Sequence, residues 1–356
     1  MNDHSLCQVE AVAGRNFSIS ALRVVSAFAV VMIHTAADVI INTTPFTANW
    51  WVATFLSSTS RFAVPVFVMI SGALLLKPAS DDNSICFYKK RFLRIIVPFL
   101  AWIVIYMIWV FSFPSVKDIS FKHISWRLVT GNVYYHLWFL FLLPGLYAFT
   151  PFLRSYIRHS ETQERDRLIA AIFVFACAHS MVNNFFFENE TSFLSMFVPY
   201  IGYYLCGYQL SVRDCFCLSV KQSLIALIAV VMMMALGTGL LVRTVDVDRG
   251  QWLFDGVSIL TIPLSILVFR LLYRKGQFKF QEHRIAVMIE KIAAASLGIY
   301  LVHPLIMSIL DKTVGRSFIA SYSLITIPVS AMFVFTVSFA AIDFALKIPI
   351  LRRTVS

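Results

Sequence analysis

Long apolar runs separated by short polar segments repeat along the whole chain. Many of these runs approach the roughly 17–25 residues that a membrane-spanning helix requires. The pattern therefore predicts an all-α, polytopic integral membrane protein with about ten spans, of which the fifth is the weakest because Asn183 and Asn184 interrupt it. The predicted spans are about 20–41, 53–76, 95–113, 134–153, 168–187, 195–211, 222–242, 252–273, 292–310 and 319–346.

Positive charge alternates between the two sides of this predicted bundle. Most of the 30 Lys and Arg residues fall in segments that lie inside when the N-terminus is cytoplasmic. Because basic residues concentrate on the cytoplasmic side of membranes, both termini are predicted to be cytoplasmic. We expect a cytoplasmic N-terminal segment at 1–19, a transmembrane domain at 20–346 and a cytoplasmic tail at 347–356.

Composition excludes several classes of protein. Hydrophobic residues make up 59% of the chain and charged residues 14%, which leaves too little charge to cover a soluble domain. The net charge of +11 forms no basic face or groove of the kind that binds nucleic acid, so no nucleic-acid partner is expected. The six cysteines show no disulfide framework, and Cys215 and Cys217 lack a second pair, so no metal is expected.

The first span carries ionisable residues, which are costly in lipid and therefore candidates for function. Arg23 and His34 are separated by about 16 Å along a helix and by about 20° around it, so they share a face. Asp38 follows one turn later and could orient the His34 imidazole. The alternative is that His34 bonds a neighbouring helix and Arg23 is only a cytoplasmic anchor.

The ninth span repeats this pattern. Ser296, Tyr300 and His303 form one polar stripe, and His303 lies about 18 Å beyond Lys291 at the inner edge. Two histidines on separate helices are therefore predicted to reach the same level of the membrane. Pro304 is expected to free a backbone carbonyl beside them. The alternative for His303 is a packing histidine with its hydrogen bonds satisfied.

Basic residues also gather before the third span, where Arg91 and Arg94 share a helix face. Guanidinium groups suit phosphates, so together with Arg23 they could hold a polyphosphate-bearing donor at the inner surface. Anchoring to lipid headgroups is the alternative.

Toward the outside, Arg61 lies about 24 Å from the inner edge, within the second span. His136 is predicted to begin the fourth span at the outer rim, with Trp138 close by. Tyr134 and Tyr135 are interpreted as part of an aromatic belt at the membrane surface. This layering suits a reaction between a charged cytoplasmic donor and a polar acceptor from the other side.

These residues resemble the motifs of the acyltransferase-3 family of transmembrane acyltransferases. The resemblance runs from about residue 18 to the C-terminus and is greatest for inner-membrane polysaccharide O-acetyltransferases, such as that of enterobacterial common antigen. The similar motifs are Arg23 with His34, Arg91 with Arg94, and the stretches 61–72, 135–140 and 296–304.

The resemblance implies transfer of an acetyl group from cytoplasmic acetyl-CoA to a hydroxyl of a cell-envelope glycan, free or lipid-linked, in the bacterial inner membrane. Arg23, Arg91 and Arg94 would bind the CoA phosphates. His34 would act as a general base or as a transient acyl carrier, between which the spacing does not choose.

Tyr300 and His303 would position the acceptor or stabilise the oxyanion. Arg61, His136, Trp138 and Ser296 would contact the acceptor. The rival interpretation is a transporter or flippase for a glycan or lipid-linked sugar, because such paths also use intramembrane His and Arg.

Overall fold

A computed structural model describes residues 3–77, 84–112, 121–131, 133–187, 194–213, 218–273, 283–315 and 320–355. Every regular element in these ranges is helical, which confirms the all-α prediction. Within them, six helical segments are long and apolar enough to span a membrane, as expected for a polytopic protein. They are Phe17–Asn42, Ala48–Leu75, Thr162–Phe186, Val220–Thr244, Arg284–Val314 and Ser323–Leu346.

Shorter helices connect and complete these segments. Two of the connections are 3-10 helices, at Val198–Tyr200 and Gln251–Phe254. The α-helices are α1 Asp3–Asn42, α2 Ala48–Ser60, α3 Ala63–Leu75, α4 Ser84–Phe111, α5 Phe121–Val129, α6 Trp138–His159, α7 Thr162–Phe186, α8 Ile201–Val212, α9 Val220–Thr244, α10 Val247–Gly250, α11 Thr261–Leu272, α12 His283–Val314, α13 Ser323–Leu346 and α14 Pro349–Val355.

The predicted second span is broken in its middle. Helix α2 ends at Ser60, and α3 begins at Ala63 after a turn at Arg61 and Phe62. Pro65 follows Arg61 by four residues, and its ring would clash with the Arg61 carbonyl in a continuous helix. The break therefore follows from the sequence, although the apolar pattern alone does not reveal it.

The predicted eighth span, 252–273, is an α-helix only from Thr261 onward. Before it, the Ser258 hydroxyl donates to the Leu253 carbonyl over 2.8 Å and accepts the Thr261 N–H over 3.2 Å. This hydroxyl therefore holds a non-helical segment between the 3-10 helix and α11. That segment contributes to the cavity described below.

Helix α1 lies inside the bundle rather than facing lipid. It packs against α2, α3, α12 and α13. Leu22, Val31 and Ala36 on this helix are completely buried. Because α1 and α12 lie side by side, the polar residues predicted on each helix can meet.

Helices α3 and α8 cross at very close range. A Cβ atom at Gly72 would overlap the Tyr204 carbonyl oxygen, and one at Gly207 would overlap the Met69 carbonyl oxygen. Each helix therefore presents a glycine to the backbone of the other. Small residues of this kind let membrane helices approach closely, where packing rather than the hydrophobic effect drives association.

Cys86, Cys177 and Cys206 form no disulfide bond within the described part of the chain. Cys215 and Cys217 lie outside the described residues. No group of three or more His, Cys, Asp or Glu side chains in the described ranges is arranged to hold a metal ion.

Candidate active site

Two histidines from different helices stack inside the bundle. The ring centroids of His34 on α1 and His303 on α12 are 5.2 Å apart, with 27° between the ring planes. His303 is completely buried, whereas His34 is partly exposed. The prediction that both histidines reach one level of the membrane is therefore confirmed.

His136 joins this pair, which corrects its predicted position at the outer rim. It is completely buried, and its ring centroid lies 5.5 Å from that of His303. The reason is local: residues 133–137 form turns before α6, with the Leu137 N–H bonded to the Tyr134 carbonyl over 2.9 Å. Helix α6 begins only at Trp138, so the turn brings His136 inward. His34, His136 and His303 are referred to below as the histidine cluster.

Tyrosines surround the histidine cluster, contrary to the interpretation of Tyr134 and Tyr135 as an aromatic belt. The Tyr135 ring lies 4.8 Å from the His34 ring, and Tyr134 stacks on Tyr106 of α4 at 4.6 Å. Tyr106 is completely buried, and its hydroxyl donates to the Leu301 carbonyl over 2.7 Å. Tyr106 was not among the predicted site residues, although a tyrosine in the middle of an apolar span requires a hydrogen-bonding partner.

Pro304 determines how the His303 imidazole is bonded. Because proline has no N–H, the Tyr300 carbonyl lacks its usual helical partner, as predicted. The His303 Nδ1 atom takes that place, 2.7 Å from the Tyr300 oxygen. A carbonyl only accepts hydrogen bonds, so Nδ1 carries the proton and Nε2 carries a lone pair. Within the described part of the chain, Nε2 has no hydrogen-bonding partner.

The histidine cluster contains further polar atoms without partners. Neither ring nitrogen of the completely buried His136 makes a hydrogen bond of good geometry to a described residue. A buried polar atom left without a partner costs free energy, so such atoms mark places where water or a substrate binds. The histidine cluster thus has ring nitrogens that are available to hydrogen-bond a ligand.

Tyr300 holds the histidine cluster together. Its hydroxyl donates a hydrogen bond to the His136 carbonyl and so ties α12 to the turn before α6. This bond uses the single hydroxyl proton, so in this arrangement Tyr300 positions His136 and does not donate to an oxyanion. Ser296, one turn earlier on the same face, is buried as well.

Asp38 lies one turn beyond His34 on α1. The Asn42 side-chain amide donates to the Asp38 carbonyl over 2.7 Å and to its carboxylate over 3.2 Å. Asp38 also lines a small space with Asp311 that excludes His34. Asp38 thus faces α12 and α13 at a level one turn beyond His34 along α1.

Arg61 sits at the break between α2 and α3. Its Nε and Nη2 donate to the Ser57 hydroxyl over 3.1 and 2.6 Å, and its Nη1 donates to the Phe254 carbonyl over 3.4 Å. The guanidinium carbon lies 4.2 Å from the centroid of the Phe254 ring. Arg61 also interacts electrostatically with Asp255 and with His34. It therefore connects the histidine cluster to a segment that the sequence analysis did not single out.

Two of the three basic residues predicted at the donor site are described with their side chains. Arg23 and Arg91 are partly exposed on α1 and α4, respectively. Arg91 and Arg154 both interact electrostatically with Tyr204 of α8, so both guanidinium groups lie near that side chain. The Arg94 side chain lies outside the described part of the structure.

Arg154 was not predicted as a donor-site residue. Its Nε atom donates to the Leu75 carbonyl at the end of α3 over 2.7 Å. Its guanidinium carbon lies 4.8 Å from the centroid of the Phe87 ring. Arg154 thus adds a fixed positive charge beside Arg91.

Comparison with known proteins agrees with the motifs. The model of the acyltransferase-3 family, described as an acyltransferase domain, matches residues 16–343. The matched range contains the histidine cluster, Arg61 and the inner basic residues. No curated protein and no solved structure matches the chain.

Proposed function

The chain belongs to the acyltransferase-3 family and is a multi-pass membrane acyltransferase, and on that premise we propose that it moves an acetyl group from cytoplasmic acetyl-CoA to a hydroxyl of a cell-envelope glycan in the bacterial inner membrane. One observation carries the proposal. His34 and His303 stack inside the bundle, and the Nε2 atom of His303 has no hydrogen-bonding partner among the described residues.

The donor binds at the inner face. Acetyl-CoA carries phosphates, which guanidinium groups bind by charge-assisted and often bidentate hydrogen bonds. Arg23, Arg91 and Arg94 supply these groups, and Arg154 adds a nearby charge. Arg23 shares a helix face with His34 about 16 Å away, so the acetyl end of a bound donor can extend along α1 toward the histidine cluster.

His34 performs the transfer by one of two routes. As a general base, its unprotonated nitrogen takes the proton of the glycan hydroxyl while the oxygen attacks the thioester carbon and the C–S bond breaks, releasing CoA. As an acyl carrier, the same nitrogen attacks the thioester, CoA leaves, and the glycan oxygen then displaces the imidazole. The lone pair on His303 Nε2 supports either route, because it is available to accept a proton beside His34.

The proposal is tested with purified protein in lipid nanodiscs. The donor is acetyl-CoA labelled with carbon-14 in its acetyl group, and the acceptor is envelope glycan from a strain that lacks the gene. We expect label to enter the glycan as an alkali-labile ester, with one CoA released per acetate transferred. A transporter or flippase would instead move the glycan without incorporating label. Movement without incorporation would reject the acyltransferase reaction.

Replacing Arg91 with Ala is expected to raise the KM for acetyl-CoA about tenfold, because it removes a charged hydrogen bond to phosphate. The kcat should change little, since Arg91 lies far from the reacting carbonyl. Steady-state kinetics at varied acetyl-CoA concentration measure both constants.

The Arg91→Lys variant should recover part of the affinity because it keeps the charge but loses the fork of donors. Arg167→Ala is the matched control, because Arg167 is an exposed inner residue outside this cluster. An unchanged KM in the Arg91→Ala variant would show that these residues serve only as lipid anchors.

A further inference from the structure

A cavity of about 790 Å³ lies beside the middle and the C-terminal part of α7. Its walls come from α7, from the start of α8, from the segment before α11 and from Trp138 at the start of α6. We refer to it as the α7 cavity. Its volume falls in the range of small-molecule binding sites, which are mainly apolar with a few placed polar groups.

Polarity changes along the α7 wall of the cavity. The part at the middle of α7 presents Ala171, Ile172 and Phe175, whereas the part toward the C-terminal end of α7, the predicted outer side, presents His179 and Asn183. The distance along α7 from the first to the last of these residues is about 18 Å. The outer end therefore suits a polar group, and the inner end suits a hydrocarbon chain.

The α7 cavity borders the lipid phase. Only 17% of the membrane-spanning window of α7 is buried inside the protein. Phe175, which lines the apolar end, has 72% of its surface exposed. A ligand can therefore enter sideways from the bilayer with its chain already in lipid.

A carboxylate is fixed on the polar wall. Asp255 accepts the Val257 N–H over 2.8 Å, and the nearby Ser180 hydroxyl accepts the Trp252 indole N–H over 3.0 Å. Asp255 nevertheless remains exposed and lines the cavity. A carboxylate held in this way accepts hydrogen bonds from ligand hydroxyl groups.

Two aromatic rings complete the polar end. The ring centroids of Trp138 and Tyr200 are 5.7 Å apart, and both residues line the cavity. The Tyr200 hydroxyl lies against Gly256, where any Cβ atom would displace it. Aromatic faces beside an acceptor carboxylate suit a sugar ring, which has apolar C–H faces and hydroxyl edges.

The α7 cavity adjoins the histidine cluster. Trp138 follows His136 by two residues, and Asp255 interacts with Arg61, which also interacts with His34. Asn183 makes no side-chain hydrogen bond to a described residue, so its amide is available to a ligand. These contacts place the cavity on the outer approach to the proposed reaction centre.

We propose that the α7 cavity binds the acceptor as a lipid-linked saccharide, which deepens the proposed function and rests on it. The sugar lies between Trp138, Tyr200 and Asp255, and the lipid chain runs beside Phe175 and Ala171 along the middle of α7. This orientation matches a glycolipid in the outer leaflet, whose headgroup faces outward and whose chain points inward.

Photocrosslinking of the full-length protein in nanodiscs tests the proposal without requiring catalysis. The probe is dodecyl glucoside carrying a benzophenone on its chain, and a second probe carries the same chain on phosphocholine. Peptide mass spectrometry should find glucoside adducts on residues 171–183 or 195–201. Unlabelled dodecyl glucoside should compete, whereas free glucose at the same concentration should not.

Variants assign the binding to the two ends of the cavity. Asp255→Asn should lower glucoside labelling about tenfold, because the carboxylate bond to a hydroxyl is weakened. Ala171→Trp should lower it by a similar factor by filling the apolar end, and this exposed position leaves the fold intact. Asp248→Asn, outside the cavity, is the matched control and should label as the unmodified protein does.

Three outcomes would overturn the proposal. Equal labelling of the cavity by the phosphocholine and glucoside probes would show that it binds lipids without preference for a sugar headgroup. Equal competition by free glucose would indicate a soluble glycan. Unchanged labelling in the Ala171→Trp variant would reject the proposed position of the lipid chain. Because crosslinking does not depend on acetyl transfer, a protein that labels as expected but transfers no acetate would reject the proposed function while keeping the site.

Discussion

Replacing His34 with Ala is expected to lower acetyl transfer to the glycan by about two to four orders of magnitude, the usual contribution of a positioned acid–base group. The His34 ring stacks on His303 and contacts the tilted ring of Tyr135, so the substitution removes the partly exposed imidazole of the histidine cluster. Initial rates with labelled acetyl-CoA measure the effect, and size-exclusion chromatography in detergent verifies that the variant is folded.

The control for this substitution is His159→Ala, which removes an exposed histidine at the inner end of α6. It should retain the full rate. A folded His34→Ala protein with the same rate would remove His34 from the mechanism.

The two routes are then distinguished by incubating the protein with labelled acetyl-CoA but without the glycan acceptor, and by stopping the reaction without acid. An acyl carrier leaves one labelled acetyl group on His34, whereas a general base leaves the protein unlabelled.

Replacing Gly207 with Val is expected to lower the free energy of unfolding by about 3 kcal/mol or more, at the upper end of the range for overpacked cores. The new side chain would overlap the backbone of Met69, and a backbone segment in a helix cannot move aside as a side chain can. Thermal unfolding in detergent, followed by tryptophan fluorescence, should show a lower melting temperature. Gly72→Val should act in the same way, because it meets the Tyr204 backbone.

Ala170→Leu is the matched control for these glycine substitutions. Ala170 is exposed on the lipid side of α7, so added volume there has room. If Gly207→Val melted at the same temperature as this control, the close crossing of α3 and α8 would be refuted.

The class of fold and the pairing of His34 with His303 could be predicted from the sequence alone. Apolar runs determine which segments are helices, and the depths of His34 and His303 follow from helical rise alone. The carbonyl freed by Pro304 was also predictable, because it depends on covalent chemistry within one helix. Such features are local, so the pattern of neighbouring residues is enough to find them.

The features that the sequence did not reveal depend on contacts between distant segments. The inward position of His136 comes from a turn and from the hydroxyl of Tyr300, 164 residues later. The Arg61 bond to Phe254 spans 193 residues. Periodicity within a span cannot indicate such pairs. The α7 cavity was missed for the same reason, since its walls come from four separate parts of the chain.

The guanidinium at the break between α2 and α3 has a consequence for how the protein is made. Arg61 enters the bilayer early in synthesis, but the Phe254 carbonyl and ring and the Asp255 carboxylate are translated much later. Until they arrive, the nascent chain carries a cation in hydrocarbon without these partners, at a cost below the roughly 2.5–3.5 kcal/mol that insertion scales give for Arg at the centre of a helix. The α2–α3 segment thus reaches its final contacts only when the C-terminal third has been synthesised. Ribosomes that stall before that point would leave a fragment that membrane quality control can recognise.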